Sequence, residues 1–194
     1  MTTPASEIRL RLPQGWIEFD PRADDLKAEL LRAVRDEWGA APPPEAEEQL
    51  NRLLSPLMVE LKRLSGVADI ILVGLFVRVL AIEGEDLPLV LTANAVLALS
   101  PPDVGLDLAR DEAPAGWTVL PVDLPSGRAV LMTGESQLTD PEWAEPVPAR
   151  ARRYVIPVPG THRMATLAFL TPNLELAEAF TDVFDAVAES ITFS

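Results

Sequence analysis

The stretch from 153 to 193, RYVIPVPGTHRMATLAFLTPNLELAEAFTDVFDAVAESITF, constrains the fold more than any other. Two short apolar runs flank a Pro159-Gly160-Thr161 turn, which predicts a hairpin pairing 152–158 with 163–169. A strongly amphipathic helix follows. Phe180, Phe184, Val187 and Ile191 recur at helical spacing and form one apolar stripe. A stripe of that kind has to be buried, and the hairpin beside it offers a sheet face. The stretch therefore predicts a C-terminal helix packed on an antiparallel sheet.

The rest of the chain supplies the other layers. Residues 7–12 alternate, with Ile8, Leu10 and Leu12 on one side, as in a half-buried strand. Pro13-Gln14-Gly15 turns the chain, and Trp16, Ile17 and Phe19 continue as a second strand. Asp20-Pro21 reads as an N-cap and first helical residue. A helix over 22–38 then carries Leu26, Leu30, Leu31, Val34 and Trp38 on one face, and Gly39 and Pro42-Pro43-Pro44 stop it. A second helix, 45–64, has Leu50, Leu53, Leu54, Leu57, Leu61 and Leu64 in register. Pro56 either kinks it or starts a new helix capped by Ser55. Gly66 ends it.

Val67–Ile82 is rich in branched residues and reads as a strand buried on both faces. It turns at Gly84–Leu87 and pairs with a strand over Pro88–Leu99. A mixed segment with Leu106 and Leu108 follows. Trp117–Val122 and Arg128–Thr133 are strands joined by Leu124-Pro125-Ser126-Gly127. Gly134–Ala149 reads as a long loop carrying an exposed Trp143. No linker or repeat divides the 194 residues. The order predicts one α+β domain, an antiparallel sheet flanked by helices.

Composition excludes several functions. The formal net charge is −14, which repels phosphate backbones and anionic membranes, so neither nucleic acid nor membrane is an expected partner. There is no cysteine, so disulfides, thiolate nucleophiles and zinc–cysteine sites are ruled out. That composition fits a reducing cytoplasm. The start, MTTPASEIRLRLP, lacks the apolar core of a signal peptide, and a cytoplasmic location is expected.

The two ends of the chain resemble known proteins. Leu12-Pro13-Gln14-Gly15-Trp16 resembles the opening of an uncharacterised actinobacterial protein family. Tyr154, Pro157-Val158-Pro159-Gly160-Thr161, Leu170-Thr171-Pro172-Asn173-Leu174 and Ser190-Ile191-Thr192-Phe193 resemble its closing pattern. The layout is also similar to the PsbP-like fold, which includes the mycobacterial LpqN-like lipoproteins. The resemblance covers about a quarter of the chain. It implies a sandwich in which a sheet lies between helices and a final helix runs into a Ser-x-x-Phe tail. It also implies a binding or assembly role without catalytic residues. The lipoproteins' signal and lipidated cysteine have no counterpart here, so their envelope location is not carried over.

Candidate chemistry is sparse. His162 is the only histidine and falls in a turn, where it has neither a nucleophile nor an orienting acid. Glu83, Glu85 and Asp86 lack the spacing of a calcium loop. No phosphate-binding or nucleophile-elbow motif occurs. No metal, cofactor or enzyme activity is expected. Arg150, Arg152 and Arg153 lie roughly 15 Å along the hairpin from His162 and Arg163, so they form two solvated groups rather than one anion site.

The final helix is more informative. Glu175, Glu178, Asp182, Asp185 and Glu189 share the face opposite the phenylalanines, with no lysine or arginine in the helix to pair with them. These five and Trp143 are the candidate partner-binding residues, and the expected partner is a basic protein. Two further readings use other chemistry. One is an immunity-type protein that neutralises a basic toxin through the same face. The other is a small-molecule carrier or enzyme with an apolar pocket between sheet and helices.

Overall fold

The computed structural model describes residues 7–23, 25–38, 44–80, 89–101, 113–139 and 145–194, without the side chains at 38, 44–53 and 56. Two strands and two helices come first: β1 (Ile8–Arg9), β2 (Trp16–Phe19), α1 (Leu26–Trp38) and α2 (Pro44–Ser65). Six strands follow: β3 (Asp69–Leu80), β4 (Leu89–Leu99), β5 (Thr118–Leu124), β6 (Gly127–Leu138), β7 (Val147–Pro157) and β8 (Met164–Thr171). A 3₁₀ turn (Leu174–Leu176) leads into α3 (Ala177–Glu189), and β9 (Thr192–Phe193) closes the chain.

Seven strands form one antiparallel sheet in the order β2-β3-β4-β8-β7-β6-β5. After the β3–β4 hairpin the chain crosses to the far edge and winds back strand by strand until β8 closes against β4. The predicted C-terminal hairpin is present, with Pro157 opposite Met164. The fold is α+β, with helices on both faces of the sheet and the C-terminal helix packed on it.

One apolar cluster lies on the α3 side. There Phe180, Phe184, Val187 and Ile191 meet Leu97, Leu167 and Phe169. The other lies under α1 and α2, where Leu30, Val34, Leu54, Leu57, Leu61 and Leu64 meet Val73, Leu75 and Val77. Burying Phe180 and Phe184 contributes about 2 kcal/mol or more for each ring. Their rings continue a row of aromatics across the sheet. The row runs Trp16–Phe76–Phe180–Phe184–Phe169–Tyr154, with centroid separations of 6.1, 5.9, 5.8, 4.6 and 6.2 Å.

Several expectations are corrected. The first helix begins at Leu26, not 22. Asp25 caps it, accepting the Ala28 N–H at 2.9 Å. Asp20 instead closes a turn of its own, accepting the Arg22 N–H. α2 passes through Pro56 as a single helix. Burial of β3 on both faces is confined to Val73–Leu75, where the α1 and α2 side chains cover one face and Leu12 lies over Gly74 on the other. The strand buried on both sides is β4, from Thr92 to Ala98.

The long loop expected over Gly134–Ala149 is sheet at both ends, and residues 140–144 lie outside the described residues. β6 runs on to Leu138 and β7 starts at Val147, with Leu138 opposite Val147. Gly134 is not a breaker there. It leaves room for the indole of Trp117, since a Cβ at 134 would lie 2.6 Å from Trp117 Cδ1. The Gly84–Leu87 turn, the Leu106–Leu108 segment, Gly39, Pro42, Pro43 and Trp143 lie outside the described residues.

β5 is an edge strand with Pro121 in its middle. Leu124 and Gly127 close a two-residue turn, so they form a hydrogen-bonded pair and such pairs alternate along the ladder. Pro121 therefore falls at a position whose backbone nitrogen faces outward, where a missing N–H costs no ladder bond.

Gly134→Ala is expected to cost about 1–3 kcal/mol in chemical denaturation, because the added methyl overlaps the Trp117 ring. Gly66→Ala, whose nearest neighbour would be 3.7 Å away, should change stability by less than about 0.5 kcal/mol.

Candidate partner-binding face

α3 carries the candidate acids, and its inward stripe fixes which way they point. Phe184, Val187 and Ile191 are almost wholly buried, so Glu178, Asp182 and Glu189 are turned to solvent. Glu175 is exposed on the preceding 3₁₀ turn. That turn is held by Asn173, whose side chain accepts the Thr92 N–H at 2.8 Å and donates to the Val90 carbonyl at 3.3 Å. None of these four acids makes an ion pair with the described residues. From Glu175 to Glu189 the face runs about 20 Å at the helical rise.

Asp185 behaves differently, which corrects the picture of five unpaired acids. It takes Arg152 Nη2 at 2.6 and 2.8 Å on its two oxygens, and the Tyr154 hydroxyl donates to it as well. Arg152 Nε in turn donates to the Tyr154 oxygen at 2.7 Å. Burial works against the Arg152 charge, but the Tyr154 oxygen and Asp185 outweigh it and push its pKa up. Burial first, then the bond to Asp185, push the Tyr154 phenol up as well, so it stays a proton donor at neutral pH.

While Arg150 stays part-exposed beside Glu135, the solvated reading is overturned for Arg152 and Arg153. Their side chains are 15% exposed at Arg152 and 11% at Arg153. Successive strand residues point to opposite faces. Arg152 therefore meets α3, and Arg153 meets α2 on the other side. Arg153 donates through Nε and Nη2 to both oxygens of Glu60, at 3.2 and 3.1 Å. Arg63 donates to the same carboxylate at 2.9 and 2.6 Å. The Arg153 guanidinium also lies over the Trp117 ring, 4.5 Å from its centroid.

Burial alone would raise the Glu60 carboxyl, but the two guanidiniums outweigh it and hold its pKa below the ordinary value. Burial pulls the Arg153 pKa down, with Glu60 opposing. Sequence reasoning missed Glu60 entirely. The available signal was the Glu60-to-Arg63 step of three within the helix. The expected separation of the two basic groups does hold. Arg163 sits at the other end of the hairpin, bonded to Asp69 at 2.7 Å and to the Ser100 carbonyl.

His162 is exposed in its turn. Trp143, Glu83, Glu85 and Asp86 lie outside the described residues. Among the described residues no three histidines or carboxylates converge as a metal site. No helix among them is long and apolar enough to cross a membrane.

No protein-family model matches this chain, and no curated protein matches it. Among solved structures it is similar to LpqN, described as involved in cell envelope biogenesis of Mycobacterium tuberculosis. The TM-score is 0.46 at 13% identity, over 100% of this chain and 91% of that one.

Removing Glu60 leaves the buried Arg153 guanidinium without its anion, while the more exposed Arg63 can turn to solvent. Glu60→Gln is expected to cost about 3–5 kcal/mol in denaturant titration. The Glu60 pKa is lower folded than unfolded. Its contribution is therefore complete at neutral pH and is lost as pH falls below the ordinary carboxylate range. Melting temperatures measured from pH 7 to pH 3 should fall less steeply in Glu60→Gln than in the wild type.

Proposed function

We propose that this chain is a non-enzymatic binding or assembly protein that docks a basic protein through the outward face of α3. One observation carries the reading. Glu175, Glu178, Asp182 and Glu189 stand exposed in one row, and no described cation pairs with them. Asp185 is the member of the row spent on holding the helix to the sheet, so the others are presented on a fixed support. Four like charges along one helix side repel one another by a few tenths of a kcal/mol per pair. A basic partner relieves that repulsion. Such attraction acts over about 8 Å at physiological salt, which makes it a steering and specificity device.

The resemblance of the chain ends to an actinobacterial family and to PsbP-like proteins supports a binding role. A cysteine-free composition supports a cytoplasmic setting. The immunity-type reading would use the same face.

The test is a triple charge reversal, Glu178→Lys, Asp182→Lys and Glu189→Lys, used as bait in native-cell purification beside the wild type. The wild type should recover a basic protein, and recovery should fall about tenfold in the variant, equivalent to about 1.4 kcal/mol. It should also fall in the wild type when salt is raised. Equal recovery by both baits at matched melting temperature removes the acidic face from the reading.

A further inference from the structure

Residues 7–12 belong to no strand of the main sheet. They run extended along the α3 side, held by two β1–β9 residue pairs, Ile8 with Phe193 and Arg9 with Thr192. Glu7 and Ser194 exchange backbone hydrogen bonds at 2.9 and 3.1 Å. The Ser190 hydroxyl accepts the Arg11 N–H at 3.0 Å. Glu7, Arg9 and Arg11 face solvent, while Ile8, Leu10 and Leu12 turn onto the core and are only half-buried.

Below this segment β3 carries Gly74 near its centre. A mid-strand glycine weakens a strand and marks a place where something approaches closely. Here that something is Leu12. A Cβ at Gly74 would lie 2.9 Å from Leu12 Cδ1 and 3.3 Å from Trp16 Cε3. On the same face Gly74 is flanked by Leu72 and Phe76, and Phe76 meets Phe180 edge-on. The sheet thus has an apolar notch whose filler comes from a segment outside the sheet.

We propose that residues 7–12 form a detachable strap, which opens on Pro13–Gly15 ahead of global unfolding and uncovers this notch. Local stability follows buried contacts and protected backbone bonds. The strap has few of either, whereas β3 is bonded along its length to β4 and in its middle to β2. Gly15, at φ +90°, supplies the reversal between the strap and β2. Leu12 filling Gly74 defines the closed state, and a bare Gly74 defines the open one.

The chain has no cysteine, so a disulfide can lock the strap without mispairing. Arg9 and Thr192 are exposed and face each other in the β1–β9 pair, which suits Arg9→Cys with Thr192→Cys in the full chain. Amide exchange by NMR and uptake of a neutral apolar dye such as Nile red are measured reduced and oxidised. In the reduced protein the Arg11 and Ser194 amides should exchange about a hundredfold faster than those of Val73 and Leu75. Oxidation should slow the Arg11 amide and the Ser194 amide bonded to the strap, and lower dye uptake. Exchange of these amides at the Val73 rate when reduced overturns the proposal, as does dye uptake indifferent to the disulfide.

Discussion

Two adjacent arginines on β7 tie the layers together. Arg152 and Arg153 leave the strand in opposite directions, and each meets a carboxylate on the helix it faces. Desolvating these charges is expensive, and apolar replacements of the same volume often serve stability equally well. Their effect here is on position. A guanidinium that bonds both oxygens of Glu60 accepts one placement of α2 along the sheet, where leucines would accept several. Arg152 does the same for α3 through Asp185, with Tyr154 bonded to both partners. The apolar stripes bring the helices to the sheet, and the two ion pairs set where they stop.

Much of this architecture was legible because it rests on short-range periods. The α3 stripe, the leucines of α2 and the Pro-Ser-Gly and Pro-Gly turns all act within a few residues. The misreadings have one physical origin. Asp20 and Asp25 both precede apolar residues, and only the finished turn shows which of them caps α1. Gly134 read as the start of a loop because the indole that needs its bare backbone arrives from Trp117, just ahead of a neighbouring strand. Strand alternation could have sent Arg152 and Arg153 to opposite faces. Their partners, 33 and 93 residues away, are set by tertiary structure alone.

The same division applies to the candidate face. A helical projection placed the acids opposite the phenylalanines, and the exposed ones lie there. It could not reveal that Asp185 is reached from the sheet. That one pairing separates a carboxylate with a structural task from its neighbours. Other arginines on or beside the sheet are committed elsewhere, with Arg78 on Glu37, Arg150 on Glu135 and Arg163 on Asp69. A chain with a net charge of −14 that pairs these arginines with its own carboxylates leaves the acidic surplus on its surface.

Pro121 bears on how another molecule can recognise this chain. An open sheet invites a foreign strand to extend it, reading the backbone of its border rather than any side chain. At the β5 border the outward-facing backbone includes a residue with no hydrogen to offer, so an added strand would find its ladder broken midway. Fibre-like stacking of copies along that border is discouraged for the same reason. On that side of the molecule, discrimination between partners is left to shape and charge on the layers above and below the sheet.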